Sequence, residues 1–224
     1  LVTLGNHMTI KTRPNLSDLL QNGRALAEKT ALAELSSSSA LYNAIRYHYR
    51  TPGSEARATL CLSSSLALGL TADSAVRLAA SVETLHNASL IQDDLQDHDE
   101  LRRGKTSIWK QFGPDIAINV TDLLIACAFE LVASAGSSSA HRLVTTMNRA
   151  IARTLQGQTK DLNAGRDLKF DQAIAVAKEK SGPLFSLSLE LPLVLAGHFY
   201  FLSMAREAGA SFGIGYQIFD DIQD

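Results

Sequence analysis

The chain has 224 residues, of which 46% are hydrophobic and 20% are charged, and its formal net charge is -2 at pH 7. This size and balance fit one globular domain with a buried core and exclude a fibrous or disordered protein. Basic and acidic residues are interspersed, which excludes the broad basic surface of a nucleic-acid-binding protein, so we expect no nucleic-acid partner.

The first eight residues have neither the cationic start nor the small-residue cleavage site of a signal peptide. We interpret residues 1–8 as the remnant of an expression tag and expect one domain over residues 9–224. The sequence stops at Asp224 inside a motif and without a helix stop signal, so we expect the natural protein to continue.

Cysteine content and apolar runs bear on the compartment. Cys61 and Cys127 are the only cysteines and cannot form a disulfide framework or a thiolate zinc site, so a cytoplasmic location fits best. The longest apolar run, residues 123–135, contains Glu130 and is shorter than the roughly 20 residues that cross a bilayer. We therefore expect no membrane span.

Helical periodicity recurs along the chain, and short Gly, Ser or Pro breaks separate the segments. The clearest segment covers residues 73–95, with Thr71 or Asp73 available as the N-cap. The serine runs 36–39 and 137–139 are predicted as solvated connections. Further helices are predicted over residues 115–135, 140–162, 170–180, 183–195 and 205–224. This pattern predicts an all-α fold without an internal domain boundary.

Two near-identical pentapeptides each close a long apolar segment: Asp93-Asp94-Leu95-Gln96-Asp97 and Asp220-Asp221-Ile222-Gln223-Asp224. Residues four apart share one face of a helix, with side chains about 5 to 6 Å apart, so the outer aspartates of each cluster can bind one divalent cation. All-oxygen ligands favour magnesium, which commonly bridges carboxylates to substrate phosphates. One such cluster alone would more often be a solvated helix end, but two copies predict a magnesium and diphosphate site.

The surroundings of the clusters suit a substrate with a hydrocarbon tail. Residues 86–92 and 213–219 are mostly apolar or small, so we expect the carboxylates at the rim of a buried cavity. Arg102 and Arg103 follow the first cluster, and their guanidinium groups can bind phosphate oxygens in pairs. Without the neighbouring clusters, this basic stretch would more often be a solvated loop that balances the nearby acidic residues.

At this point a family resemblance becomes visible. Residues 86–94, followed by Leu101-Arg102-Arg103-Gly104-Lys105, resemble the first aspartate-rich region of trans-polyprenyl diphosphate synthases. Other landmarks of that family are matched, in order, by Gly157-Gln158-Thr159-Lys160-Asp161-Leu162, Lys180-Ser181-Gly182 and Tyr216-Gln217-Ile218-Phe219-Asp220-Asp221. The resemblance spans nearly the whole chain and implies a single-domain antiparallel helix bundle of the isoprenoid synthase type, with a deep central pocket, that forms a homodimer.

The resemblance also implies the roles of the site residues. Asp93, Asp97 and Asp220 would be direct magnesium ligands, supported by Asp94, Asp221 and Asp224, with three magnesium ions present when a diphosphate is bound. Arg102 and Lys180 would hold the allylic diphosphate and share in catalysis with the direct ligands. The other substrate-binding residues would be Arg57, His86, Arg103, Gln158, Ser181 and Gln217. The allylic cation would form by electrostatic stabilisation of the departing diphosphate, without a covalent enzyme intermediate.

One stretch departs from the family pattern. Family members normally carry Gly-Gly-Lys-Arg-x-Arg-Pro ahead of the first cluster, and its Lys and first Arg bind the diphosphate of isopentenyl diphosphate, the acceptor. The matching stretch here is Pro52-Gly53-Ser54-Glu55-Ala56-Arg57-Ala58. Ser54 and Glu55 therefore replace two cations by a neutral and an anionic side chain. Arg50 would have to reach past Glu55 to act as a substitute.

Three functions stay open at this stage. Prenyl transfer to isopentenyl diphosphate through a rebuilt site is what family membership implies. A terpene cyclase would instead ionise the allylic diphosphate and quench the cation internally or with another acceptor. A non-catalytic regulatory subunit of a heteromeric prenyl synthase would explain the lost cations but not the six aspartates. Ala88 and Ser89 are small where an aromatic side chain would block a growing tail, which by family analogy implies room for fifteen carbons or more.

Overall fold

The structure is a computed structural model that describes residues 15–51, 53–163 and 170–223, without the side chains of residues 170, 173 and 220–223. Nine α-helices and one short hairpin form this described part. In chain order they are α1 (Leu16–Leu32), α2 (Ala40–Tyr49), α3 (Ala56–Ala67), α4 (Ala72–Asp97), β1 (Leu101–Arg102), β2 (Lys105–Thr106), α5 (Ile108–Phe112), α6 (Pro114–Ser134), α7 (Ala140–Asn163), α8 (Phe170–Leu195) and α9 (Leu202–Gln223). The predicted all-α class is confirmed.

The helix α4 crosses the core and carries the first aspartate cluster to its C-terminal end. The hydroxyl of Thr71 accepts a hydrogen bond from the backbone N–H of Ser74 at 3.2 Å, which confirms the predicted N-cap. The helix ends at Asp97 because His98 adopts the left-handed conformation, with φ of 59°. More than half of its 26 residues are buried, so α4 is covered on several sides rather than along one stripe.

Two hydrophobic clusters meet along α4. The first contains Leu78 and Val82 and packs α4 against α3, α6 and α8. It extends to α7, which packs against α6 and α8. The second surrounds Ile45, Ile91 and Leu124 and packs α4 and α6 against α1, α2 and α5. Burial of these side chains against several helices fixes the position of the α4 C-terminus within the bundle.

The predicted break ahead of Pro183 is wrong, because α8 runs without interruption through both Pro183 and Pro192. Proline removes a helical hydrogen bond, so such a helix needs support from its neighbours. That support comes from close backbone packing: Gly157 of α7, and Gly209 and Gly213 of α9, each touch the α8 backbone where a Cβ atom would clash. The tertiary contacts thus outweigh the local break signal.

Among the described residues, α6 is one helix with the length and hydropathy of a membrane span. A core helix of a folded domain passes the same test. The buried residues of α6 include Val120, Leu124 and Leu131, and the helix packs against α4, α5 and α7. We therefore interpret α6 as a core helix.

Candidate active site

A cavity of about 500 Å³ opens between α3, α4, the β1–β2 hairpin, α7, α8 and α9. Its lining brings together residues that lie far apart in the sequence. All eight predicted substrate-binding residues and two predicted metal ligands line it: Arg57, His86, Arg102, Arg103, Gln158, Lys180, Ser181, Gln217, Asp93 and Asp97. A site of this size can hold a drug-sized or larger organic substrate.

The carboxylates of Asp93 and Asp97 face this cavity from the last turns of α4. Burial raises the pKa of Asp93 to about 6, with Lys180 opposing the shift and Asp97 adding to it. Within the described ranges, no three His, Cys, Asp or Glu side chains converge closely enough to hold a metal ion by themselves. A metal at Asp93 and Asp97 would therefore need further oxygen ligands from the second cluster, water or a substrate.

Asp94 differs from its neighbours because it is buried and does not line the cavity. It accepts a hydrogen bond from Nε of Arg102 at 2.7 Å and a second from Nη2. Arg102 itself lies on the cavity wall, at the base of a two-residue hairpin turn in which Arg103 and Gly104 both have positive φ. Asp94 thus positions Arg102, and this geometry fits the supporting role that the resemblance implies.

Lys180 of α8 is held between two carboxylates. Its Nζ donates a hydrogen bond to Asp161 at 2.7 Å and lies 3.8 Å from Asp93. Burial alone would lower the pKa of Lys180, but the surrounding carboxylates, led by Asp93, raise it overall. Lys180 is therefore a fixed cation next to the predicted metal ligands. Asp161 lies in one of the family-like segments, and its spacing from Lys180 gave no signal of this contact.

Two pairs of polar side chains join neighbouring helices around the cavity. Gln158 of α7 donates a hydrogen bond to Gln96 of α4 at 3.0 Å. Ser181 of α8 donates a hydrogen bond to Gln217 of α9 at 3.2 Å. These contacts place Gln158 and Gln217 at the inner surface, where their amide groups can reach a bound substrate.

Another part of the cavity lining combines cationic and aromatic side chains, including Arg57 and Tyr216. Arg57 lies 3.1 Å from Nε2 of His86, and because arginine can only donate, this nitrogen accepts and the proton resides on Nδ1. Burial, and then Arg57, hold the pKa of His86 well below its usual value, so the imidazole is neutral. The Arg57 guanidinium stacks 4.1 Å from the Phe185 ring centroid and 5.1 Å from that of Tyr216. Phe185 is buried and does not itself line the cavity, and neither ring is among the predicted site residues.

The second aspartate cluster lies at the end of α9. The helical backbone includes Asp220 and Asp221, but their side chains, and Asp224 entirely, lie outside the described residues. Tyr216 and Gln217, about one turn earlier, line the cavity. The metal-binding roles of these three aspartates stay predictions.

Of the two small residues before the first cluster, only Ser89 lines the cavity. Ala88 is 1% exposed and packs in the second core cluster. Successive residues on a helix point about 100° apart, which is why the pair is divided between the cavity and the core.

The chain is similar in sequence to prenyl diphosphate synthases. Residues 38–224 match the family model described as polyprenyl synthetase. A geranylgeranyl pyrophosphate synthase of Geoglobus acetivorans is 33% identical over 189 residues, which are 82% of this chain and 59% of that protein. A (2E,6E)-farnesyl diphosphate synthase of Mycobacterium tuberculosis is 30% identical over 173 residues, which are 76% of this chain and 48% of that protein.

The fold is similar too. A solved geranylgeranyl pyrophosphate synthetase of Geoglobus acetivorans matches with a TM-score of 0.81 at 29% identity, over 92% of this chain and 70% of that one. The chain spans about half the length of the curated relatives that it matches. Members of the matched family use magnesium. Since the family match covers most of the sequence and the fold agrees, the chain belongs to the polyprenyl synthetase family.

Proposed function

We propose that the protein catalyses magnesium-dependent prenyl transfer in isoprenoid biosynthesis. It ionises an allylic isoprenoid diphosphate with release of diphosphate, and the allylic cation adds to the double bond of isopentenyl diphosphate. Loss of a proton then gives the longer prenyl diphosphate. The observation that carries this proposal is that Lys180 and Arg102 line the same cavity as Asp93 and Asp97. Cations for a diphosphate and carboxylates for a metal therefore share one space, and the names of the relatives support the same reaction.

The chemistry of the donor set fits magnesium. Asp93 and Asp97 offer only oxygen ligands, and burial together with their mutual repulsion raises the pKa of Asp93 to about 6. A divalent cation between the two carboxylates would offset both the burial of the Asp93 charge and the repulsion between the two side chains. We assign magnesium to Asp93, Asp97 and Asp220, with three ions when a diphosphate is bound. Bound magnesium supplies positive charge that stabilises the departing diphosphate.

The protein side chains position the substrate for this step. Lys180, fixed by Asp161, and Arg102, fixed by Asp94, bind diphosphate oxygens through charge-assisted hydrogen bonds. Because both cations are held in place before the substrate arrives, little reorganisation is needed as negative charge builds up on the leaving group. Apolar side chains of the lining, Leu90 and the buried Leu184, face the hydrocarbon part and keep water from the cation.

The experiment that tests this proposal incubates the purified protein with magnesium and geranyl, farnesyl or geranylgeranyl diphosphate, each with and without isopentenyl diphosphate. Longer prenyl diphosphates, formed only with both substrates and not in the presence of EDTA, are the expected products. Hydrocarbons or alcohols formed without isopentenyl diphosphate would establish a terpene cyclase, which the Ser54 and Glu55 replacements motivate as an alternative. Absence of diphosphate release in every mixture would favour a regulatory subunit.

A further inference from the structure

Large apolar side chains are exposed where α8 passes into α9. Phe199, Tyr200 and Phe201 follow one another in a single turn of 3-10 helix between the two helices, and Met204 lies in the first turn of α9. We call these four residues the aromatic patch. All four are exposed, Tyr200 by 89% and Met204 by 63%. Exposed apolar residues are ordinary when they are scattered, whereas a contiguous group of this kind marks an interaction surface.

The backbone of this turn holds the aromatic rings outward. Gly197 has φ of 79°, and its N–H donates to the carbonyl of Val194 at 3.3 Å. The N–H of His198 donates to the carbonyl of Leu193 at 2.8 Å, which completes a Schellman motif at the end of α8. The N–H of Phe201 then donates to the carbonyl of His198 at 3.3 Å. Because these hydrogen bonds fix the turn, the exposure of the rings is set by the fold.

Cationic side chains border the aromatic patch. Arg142 of α7 lies over the Phe199 ring, with its Cζ 4.9 Å from the ring centroid. Arg149 is seven residues further along α7, close to two whole turns, so it lies on the same face of the helix as Arg142. Both arginines are exposed. The sequence has no Asp or Glu in residues 131–160 or 191–206, the two segments that carry the patch and these arginines. Positive charge is therefore concentrated here, although the whole chain has a net charge of -2.

The aromatic patch lies far from the diphosphate-binding residues. Lys180 lines the cavity, and α8 continues for fifteen residues, or about 22 Å, before it ends at Leu195. The patch follows directly after this end of α8. A surface that covers the patch therefore leaves the cavity open to substrates from water.

We propose that the aromatic patch, Arg142 and Arg149 bind the surface of a lipid bilayer that contains anionic phospholipids. The rings and Met204 enter the boundary between headgroups and acyl chains, and the two guanidinium groups contact the lipid phosphates. An acidic protein would match the arginines alone, whereas exposed rings next to cations are typical of side chains at a membrane interface. This inference goes beyond the proposed prenyl transfer and does not depend on it.

Flotation with lipid vesicles tests this proposal. The protein is mixed with vesicles of phosphatidylcholine alone, or of phosphatidylcholine and phosphatidylglycerol in equal parts. We expect binding to the anionic vesicles only, with a loss of affinity at high salt because the charges of the arginines are screened. The variant Y200S/M204S is expected to lower the affinity about tenfold or more, because it removes apolar surface that enters the bilayer. R142Q is expected to lower it by about fivefold, the effect of one cation at an anionic surface.

The matched control is I118S, which removes an exposed apolar side chain elsewhere. Ile118 is near the start of α6, whereas Gly136, just after the other end of α6, adjoins Leu195 next to the patch. I118S should bind anionic vesicles as the wild type does. Since Tyr200 and Met204 are mostly exposed, Y200S/M204S should keep the thermal unfolding midpoint of the wild type and its kcat/KM for prenyl transfer in vesicle-free solution.

Failure of the wild type to bind the anionic vesicles would overturn the proposal, and so would binding that both Y200S/M204S and R142Q leave unchanged. An equal loss with I118S would show unspecific apolar adsorption and would overturn it as well. If the wild type binds no vesicles but forms an oligomer that Y200S/M204S dissociates, the patch is instead a contact between copies of the chain. None of these results bears on the proposed prenyl transfer, which is measured without vesicles.

Discussion

Arg102 directs two of its nitrogen atoms to a single carboxylate oxygen of Asp94, with Nε at 2.7 Å. Asp94 is 2% exposed, whereas Asp93 and Asp97, on the adjoining face of α4, reach the cavity. Helical geometry therefore divides the cluster into two carboxylates that can bind metal and one that positions a cation. This division leads to distinct expectations for substitutions at neighbouring aspartates.

Asp94→Asn is expected to raise KM for the allylic diphosphate about tenfold while a dependence on magnesium is retained. The amide can still accept one hydrogen bond but no longer neutralises Arg102, so the guanidinium is held less firmly. Steady-state kinetics at varied allylic diphosphate and varied magnesium measure both quantities. A loss of turnover as complete as that expected for Asp93→Asn would show that Asp94 is a direct ligand.

Asp93→Asn is expected to abolish turnover and to stabilise the metal-free protein. The pKa of Asp93 is raised from 3.8 to about 6, so the folded state binds this proton more tightly and the ionised carboxylate costs stability above pH 6. The variant should gain about 1 to 3 kcal/mol at pH 7.5 and nothing below about pH 4. Urea unfolding in EDTA at several pH values measures this difference. Marked destabilisation of the variant at pH 7.5 would mean that the carboxylate has a structural role.

Lys180→Gln is expected to raise KM for the allylic diphosphate by about 10- to 100-fold, because a fixed charge-assisted contact is lost. Lys178→Gln provides the control, since Lys178 lies two residues earlier on α8 and is exposed. It should change KM by less than about twofold. Equal effects of the two substitutions would indicate general electrostatic attraction rather than a specific contact.

Glu190→Gln tests how α7, α8 and α9 are held together around the cavity. Glu190 is 1% exposed and accepts hydrogen bonds from Arg153 at 3.0 Å and Arg206 at 2.6 Å. Removing its charge leaves two arginines without a counter-ion, and we expect a loss of about 2 to 3 kcal/mol in the free energy of unfolding. Glu179→Gln breaks an exposed pair with Lys160 and should cost less than about 1 kcal/mol. Comparable losses in both variants would contradict this account.

Ser89→Phe and Ala88→Phe are expected to have different consequences although they are adjacent. Ser89 lines the cavity, so a phenyl ring there shortens the longest product with little effect on folding. Ala88 is packed in the core, and a ring there should destabilise the protein by about 1 to 3 kcal/mol or more. Product chain length and thermal unfolding measure the two effects. An Ala88→Phe variant with normal stability and shortened products would show that Ala88 also faces the substrate.

The helices that can be predicted from the sequence are those whose ends carry strong local signals. The start of α4 follows from the capping residue Thr71, and the first cluster lies at its end because apolar residues precede it at helical spacing. The unbroken α8 could not be predicted, since Pro183 is a break signal and the compensating glycines lie on other helices. Helix caps can be predicted from the local sequence, whereas backbone contacts between distant segments cannot.

The same distinction holds for the site. Residues inside motifs, such as Lys180 and Gln158, were found and converge on one cavity. Arg24 and Phe185 lie outside motifs, and only the tertiary fold brings them to Glu55 and Arg57. Arg24 on α1 pairs with Glu55 at the start of α3. A single sequence contains no pattern that would predict such a contact between two helices.

A crystal structure of the protein with magnesium and a thiolo analogue of farnesyl diphosphate, which cannot ionise, tests the central claim most directly. We predict magnesium bound to Asp93 and Asp97, with the diphosphate against Lys180 and Arg102 and the hydrocarbon tail running past Ser89. A diphosphate bound elsewhere, or no metal at Asp93 and Asp97 at saturating concentrations, would contradict the proposed function.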